Sequence, residues 1–95
     1  MKQYNALVID DEKTIRSALV LMLTEYCPEI RVCGSAGSAR EGREMLKMHE
    51  VDFIFLDISM PKEDGFTFLR SIFVKAFRNR FRVRTFNGVY TPFMT

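Results

Sequence analysis

Three aspartates carry most of the chemistry this sequence can offer. Asp10 and Asp11 sit side by side at the end of a short apolar run, and Asp57 ends another such run far along the chain. If the fold brings them to one rim, their charges must be dealt with. Two unit charges about 4 Å apart repel by roughly 4 kcal/mol at an effective dielectric of 20. Such a cluster asks for a compensating cation or a shifted protonation state. An all-oxygen site with few protein ligands and room for water suits Mg²⁺.

The elements that must position these residues can be read from hydrophobic spacing. Residues 5–9 form a nearly continuous apolar run, as expected of a strand buried on both faces of a parallel sheet. Residues 13–26 show helical spacing: Ile15, Leu19, Met22 and Tyr26 recur three or four apart, with Ala18 and Leu23 widening the stripe. Pro28 stops that helix. Ile30 to Cys33 reads as a second strand ending at Gly34, followed by a turn over residues 35–38. Ser38 and Glu41 then make a capping box for a helix running to about Glu50, with Ala39, Met45, Leu46 and Met48 on its apolar side. Residues 52–57 are a third strand that ends in a carboxylate. Gly65 opens a further helix with Phe66, Leu69, Phe73 and Phe77 at helical spacing. The order strand, helix, strand, helix, strand, helix implies an α/β fold with parallel strands, right-handed crossovers and helices on both faces. In such sheets ligands sit outside the carboxyl ends of the strands, where Asp10, Asp11 and Asp57 lie.

Each feature alone has a plainer explanation. An aspartate pair after a strand can cap the next helix, and a proline–glycine loop is a common turn. In combination they are specific. Asp57-Ile58-Ser59-Met60-Pro61-Lys62-Glu63-Asp64-Gly65 matches the D-x-x-M-P-x-x-x-G signature of response-regulator receiver domains, and the resemblance covers about residues 4–72. It implies a flavodoxin-like sheet, here incomplete with three clear βα units, and a cytoplasmic two-component signalling module. By the family's roles Asp57 is the phosphoacceptor, taking a phosphoryl group from a sensor histidine kinase. Asp11 is a direct Mg²⁺ ligand, Asp10 acts largely through bound water, and the Ser59 backbone carbonyl is a further ligand. Pro61 and Gly65 shape the loop into the third helix. A carboxylate is a weak nucleophile towards a charged phosphoryl group, and a metal bridging both relieves the repulsion. On this reading the chain is not an enzyme beyond its own phosphorylation and dephosphorylation.

The resemblance weakens after residue 72. A receiver also carries a Ser or Thr ending its fourth strand and a Lys ending its fifth. Thr85 lies at a sequence distance from Asp57 that suits the hydroxyl, although Arg82-Val83-Arg84 is unlike the usual buried strand. No lysine follows Lys75, and Thr91-Pro92-Phe93 stands where Lys-Pro-Phe often does. The alternative reading is a switch-incompetent binding or dimerisation module.

Charge changes at the same point. Residues 1–72 hold nine Lys/Arg against all twelve Asp/Glu, whereas residues 73–95 hold Lys75, Arg78, Arg80, Arg82 and Arg84 and no acid. We therefore divide the chain into a receiver-like part, 1–72, and a divergent basic and aromatic part, 73–95, that reads as a dimerising or non-native end. Phe73, Phe77 and Phe81 would let the third helix continue to about residue 81. Asn87-Gly88, between alternating residues 81–84 and 89–91, predicts a hairpin. The arginines invite a nucleic-acid reading, which rests on this tail alone. A sheet left open at its third strand, beside this tail, predicts a homodimer through residues 66–95.

Composition excludes other classes. No segment approaches the ~20 apolar residues of a membrane span. Cys27 and Cys33 are too few for a disulfide framework or zinc site and read as free thiols. His49 has no matching ligand nearby and reads as a surface residue.

Overall fold

The computed structural model of the chain describes residues 2–72 and 82–85. Strand β1 (Tyr4–Ile9) lies at the centre because its sequence can be buried on both sides: Ala6, Leu7, Val8 and Ile9 are wholly shielded from solvent. Helix α1 (Lys13–Tyr26) leads to β2 (Ile30–Ala36), α2 (Ala39–Met48) to β3 (Phe53–Leu56), and α3 (Gly65–Ser71) follows, with β4 (Arg82–Thr85) beyond. All strand pairs are parallel, in the order β2-β1-β3-β4. The chain thus moves one way from β1 to β2, then back across β1 to β3 and on to β4. Right-handed crossovers put α1 on one face and α2 and α3 on the other.

The second face carries the main core. Leu7 and Ile9 of β1, with Ile54 and Leu56 of β3, pack with Ala39 and Leu46 of α2 and with Phe68, Leu69 and Ile72 at α3. Gly42 lets α2 come this close: a Cβ there would lie 2.5 Å from Ile9 Cδ1. The α1 face is less filled. The expected stripe is only partly used, because Ile15, Met22 and Tyr26 are exposed, Tyr26 at 79%, and Leu23 is the residue that is buried. The alternate β1 residues Ala6 and Val8 offer α1 a narrow floor, and no other described helix stands beside it.

Two boundaries differ from the sequence reading. Strand β2 continues through Gly34 to Ala36, because the ladder shifts by one residue: Ala6 pairs with Val32 and Leu7 with Gly34, leaving Cys33 as the extra residue. Such a bulge keeps a strand going where a turn was expected. Helix α2 ends at Met48, with exposed His49 as its C-cap. Cys27 and Cys33 are free and half-buried, and burial pushes the Cys33 thiol up from its ordinary value.

The largest departure is β4. Residues 82–85 form a parallel strand on β3, with Arg82 opposite Phe53, Val83 opposite Ile54, Arg84 opposite Phe55 and Thr85 opposite Leu56. The β3 edge expected to be open is therefore paired, and the residues assigned to a hairpin arm belong to the parallel sheet. Alternation explains the misreading. Val83 and Thr85 occupy the register positions of two core residues, while Arg82 and Arg84 stand on the alternate side, so an end strand looks like a half-exposed hairpin arm. The extension of the third helix to residue 81 and the hairpin at Asn87–Gly88 lie outside the described residues. Among the described residues, no helix is long and apolar enough to cross a membrane.

Candidate metal centre

Strand order reverses between β1 and β3, and the crevice at their carboxyl ends is where an open α/β sheet presents a ligand site. Asp10 and Asp57 directly follow these strands. The ladder carries them into place: Asp10 N–H donates to the Ala36 carbonyl at 3.0 Å, and Asp57 N–H to the Ile9 carbonyl at 2.9 Å. Asp10, Asp11 and Asp57 each offer a carboxylate oxygen, and these atoms all lie within 4.8 Å of one another. The three residues singled out in the sequence are brought together.

Their environments differ. Asp10 is 2% exposed, Asp57 half-buried and Asp11 exposed. Two of the carboxylates are held by their own backbone: Asp10 Oδ1 accepts from Glu12 N–H at 2.9 Å, and Asp57 Oδ1 from Ser59 N–H at 2.9 Å. The acidic pair does not cap α1. The N-cap residue is Glu12, whose side chain makes no capping bond. Burial pushes the Asp10 carboxyl up from its ordinary value, and the negative Asp57 and Asp11 add to this, while the Glu12 N–H opposes it. Among the described residues no lysine or arginine forms an ion pair with the three.

The loop beyond Asp57 is anchored at several points. Ile58 and Met60 are buried, 8% and 7% exposed, so the exposed Ser59 alternates with core residues. Gly65 N–H donates to the Ile58 carbonyl at 2.8 Å. A Cβ on Gly65 would lie 2.7 Å from Ile58 Cα and 3.0 Å from the Asp57 carbonyl oxygen. Backbone stands in the way, so only glycine lets α3 start against this loop. Gly65→Ala is expected to cost about 1–3 kcal/mol, seen as a lower urea midpoint at unchanged slope. An unchanged midpoint would show that the loop accommodates the methyl group. Asp64, the N-cap of α3, accepts from Thr67 N–H at 2.8 Å.

Two contacts that sequence reasoning missed brace the site from α1 and α2. Arg16 Nη1 donates to the Asp10 carbonyl at 2.7 Å. Arg43 of α2 grips Glu63 in the loop through two bonds, Nη1 to Oε2 at 2.6 Å and Nη2 to Oε1 at 2.8 Å, and reaches Ser71 Oγ at 3.1 Å. Arg43 beside Glu63 holds that carboxyl below its usual range. Neither partnership has a spacing signal, since one ends on a backbone atom and the other spans twenty residues. At the start of α2, Ser38 Oγ accepts from Glu41 N–H at 3.2 Å as expected, but Glu41 Oε1 returns to Gly37 N–H at 3.0 Å rather than to Ser38. Thr85 ends β4 at this end of the sheet, its backbone opposite Leu56, the neighbour of Asp57.

A parallel sheet of this order with an acidic trio at its reversal point defines a response-regulator receiver. The family model for the response regulator receiver domain matches residues 6–85, and the chain belongs to this family. The sequence is 42% identical over 71 residues to a protein-glutamate methylesterase/protein-glutamine glutaminase of Nitratidesulfovibrio vulgaris, covering 75% of this chain and 19% of that protein. The chain thus spans about a fifth of the length of the curated relatives it matches. Among solved structures, the N-terminal domain of a response regulator receiver protein from Methanoculleus marisnigri is similar with TM-score 0.73 and 29% identity, over 86% of this chain and 64% of that one. The chemotaxis protein CheY4 of Vibrio cholerae shares the fold with TM-score 0.74 at 22% identity, over 87% and 67% of the two chains. The match continues through β4, past the point where charge and composition change.

Proposed function

We propose that this chain is a phosphoacceptor in which Asp57 takes a phosphoryl group from a phosphohistidine of a sensor histidine kinase, in a cytoplasmic setting. The supporting observation is the convergence of Asp10, Asp11 and Asp57 within 4.8 Å at the reversal point of the sheet. The donor set fits Mg²⁺: the trio offers only carboxylate oxygens, without the nitrogen or sulfur ligands that favour zinc or copper. Asp11, Asp57 and the Ser59 carbonyl would hold the ion, with Asp10 acting through bound water. When bound, Mg²⁺ supplies charge neutralisation between the carboxylate and phosphoryl oxygens. Asp57 contributes one carboxylate oxygen to a new P–O bond as the P–N bond breaks, and the departing imidazole keeps the electron pair. The bond from Ser59 N–H holds the Asp57 carboxylate in one orientation. Thr85 is the candidate hydroxyl donor to the transferred group.

The chain's own chemistry on this reading ends with acquiring and losing the phosphoryl group. The esterase and glutaminase activities in the relatives' names are not carried over to a stretch that covers about a fifth of them. Incubation with Mg²⁺ and acetyl phosphate tests the proposal: the protein should gain the mass of one phosphate, and a chelator added beforehand should prevent it. Absence of any adduct with Mg²⁺ present overturns the reading.

The partner proposal also includes a second copy of this chain, through residues 66–95. Its support is the outer edge of β4, which no described strand pairs. Sedimentation should show a dimer, and a folded monomer at high concentration removes this part. Nucleic acid is the weaker partner, because Arg82 and Arg84 lie within a sheet strand and not on a free basic arm.

A further inference from the structure

We infer that Arg16 is a positioning residue for the acidic site, acting through the peptide plane that joins Asp10 to Asp11; the inference rests on the metal-binding reading above. Arg16 lies on the first turn of α1, and its guanidinium turns back to the carboxyl ends of the strands. It does not pair with Asp10, Asp11 or Asp57 as a countercharge. Nη1 donates instead to the main-chain carbonyl of Asp10 at 2.7 Å.

That carbonyl is the first acceptor beyond the end of β1. The N–H of the same residue is already fixed to Ala36 at 3.0 Å, and its side chain to Glu12 N–H at 2.9 Å. With Arg16 in place, every polar group of Asp10 has a partner on β2, on α1 or in the turn, apart from the carboxylate oxygen left for the site. The peptide plane from Asp10 to Asp11 is then held at its carbonyl by Arg16, directly after the plane that the ladder bond to Ala36 fixes, and this limits the direction in which the Asp11 side chain leaves the backbone. Asp11 is the exposed member of the trio and, among the described residues, makes no hydrogen bond of its own that would orient it. Its aim depends on its backbone.

A second observation marks the same guanidinium as fitted into place. A Cβ on Gly37, at the start of the β2–α2 connection, would lie 3.1 Å from Arg16 Nη1 and 3.6 Å from Glu41 Oε1. Gly37 N–H is held by that same Glu41 oxygen at 3.0 Å. The guanidinium therefore spans the loops that follow β1 and β2, and the missing side chain at position 37 leaves the space it occupies. Partners that orient metal ligands without touching the metal typically change its affinity ten- to a hundredfold when lost.

The test is calorimetric titration of MgCl₂ into the full chain and its variants, with far-UV circular dichroism confirming the fold. Arg16→Met keeps the apolar stem and removes the donors; it is expected to raise the Mg²⁺ dissociation constant about tenfold or more. Arg16→Lys, which retains a donor, is expected to recover most of the affinity. A purely structural role predicts the opposite split, with a lower urea midpoint and unchanged Mg²⁺ affinity. That result, or no recovery in Arg16→Lys, overturns the inference. If Arg16→Met does not fold, Gly37→Ala takes its place, crowding Nη1 while leaving Arg16 present; weaker Mg²⁺ binding supports the inference and unchanged binding overturns it. Failure of the unmodified chain to bind Mg²⁺ removes the metal-binding reading itself, an outcome distinct from a variant that binds as well as the parent.

Discussion

Asp57→Asn is expected to abolish phosphoryl incorporation from acetyl phosphate while leaving the fold intact. The amide lacks the anionic oxygen that would form the new bond, and no other residue can take over without moving the reacting centre. Asp10 is buried, with one oxygen held by the Glu12 N–H, and Asp11 is aimed from the first strand's end and not from the loop. The substitution is conservative for the loop. Asn Oδ1 can still accept from Ser59 N–H, the bond that Asp57 makes at 2.9 Å, and Ile58 and Met60 still anchor the segment in the core. Circular dichroism should therefore be unchanged and the mass shift lost. Labelling of Asp57→Asn at the parental rate would show that the phosphoryl group goes elsewhere and would end the assignment of this residue.

What could be read from the sequence follows from the range of the interactions involved. The strands β1 and β3 were legible because each is a run of apolar residues, wholly buried over Ala6 to Ile9 and alternately buried and half-buried over Phe53 to Leu56, and both runs stop at a carboxylate. The helices α1, α2 and α3 were legible from periodicity and, for α2, from the capping signal at Ser38, whereas the Asp64 cap that starts α3 at Gly65 was not read from the sequence. The trio itself could be placed because parallel topology puts all strand ends on one rim. Three things could not be seen. The bulge at Cys33 depends on a ladder between distant strands and leaves no composition signal. The depth of α1 depends on what else covers its side of the sheet, which is why Ile15, Met22 and Tyr26 obey a helical period and are still exposed. Strand β4 alternates because only one of its faces shares the core register, and two arginines on the other made it resemble a surface hairpin.

The braces belong to a fourth category. Arg16 and Arg43 act through geometry that no short motif encodes, one by capturing a main-chain carbonyl and the other by a two-pronged grip across two elements. Arg16 ends on the backbone of the trio and Arg43 on the loop that follows Asp57, and neither forms an ion pair with the three carboxylates. The site thus keeps three carboxylates close together while its surroundings hold them in position, an arrangement that leaves the electrostatic strain for a bound cation to relieve.

Asp10→Asn isolates that strain and should give the second large effect, with opposite signs in the absence and presence of metal. Asp10 is the buried member of the trio, 2% exposed, and its carboxyl is pushed up by burial first and by Asp57 and Asp11 next. A folded carboxyl with a raised pKa holds its proton longer than the unfolded one. As pH rises through the unfolded value, the folded state binds more protons, so stability falls until the folded group has also ionised and stays lower above that. Without metal the parent should therefore lose stability between acid and neutral pH at this group, and Asp10→Asn should lack that component. Given repulsion of a few kcal/mol between close carboxylates, reduced by the exposure of Asp11, the variant should gain about 1–2 kcal/mol at neutral pH. For a domain of this size that is an upward shift in Tm of roughly 5 °C or more. The Glu12 N–H bond can be kept by the amide oxygen, so the turn is not the source of any change. With saturating Mg²⁺ the order should reverse. The parent gains stability from the ion by mass action, whereas the variant, short of one negative charge, binds it about ten- to a hundredfold more weakly and gains less. Thermal melts of both proteins with chelator and with Mg²⁺ provide the check. A variant less stable than the parent in chelator, or equally stabilised by Mg²⁺, would show that the trio carries no strain of this kind.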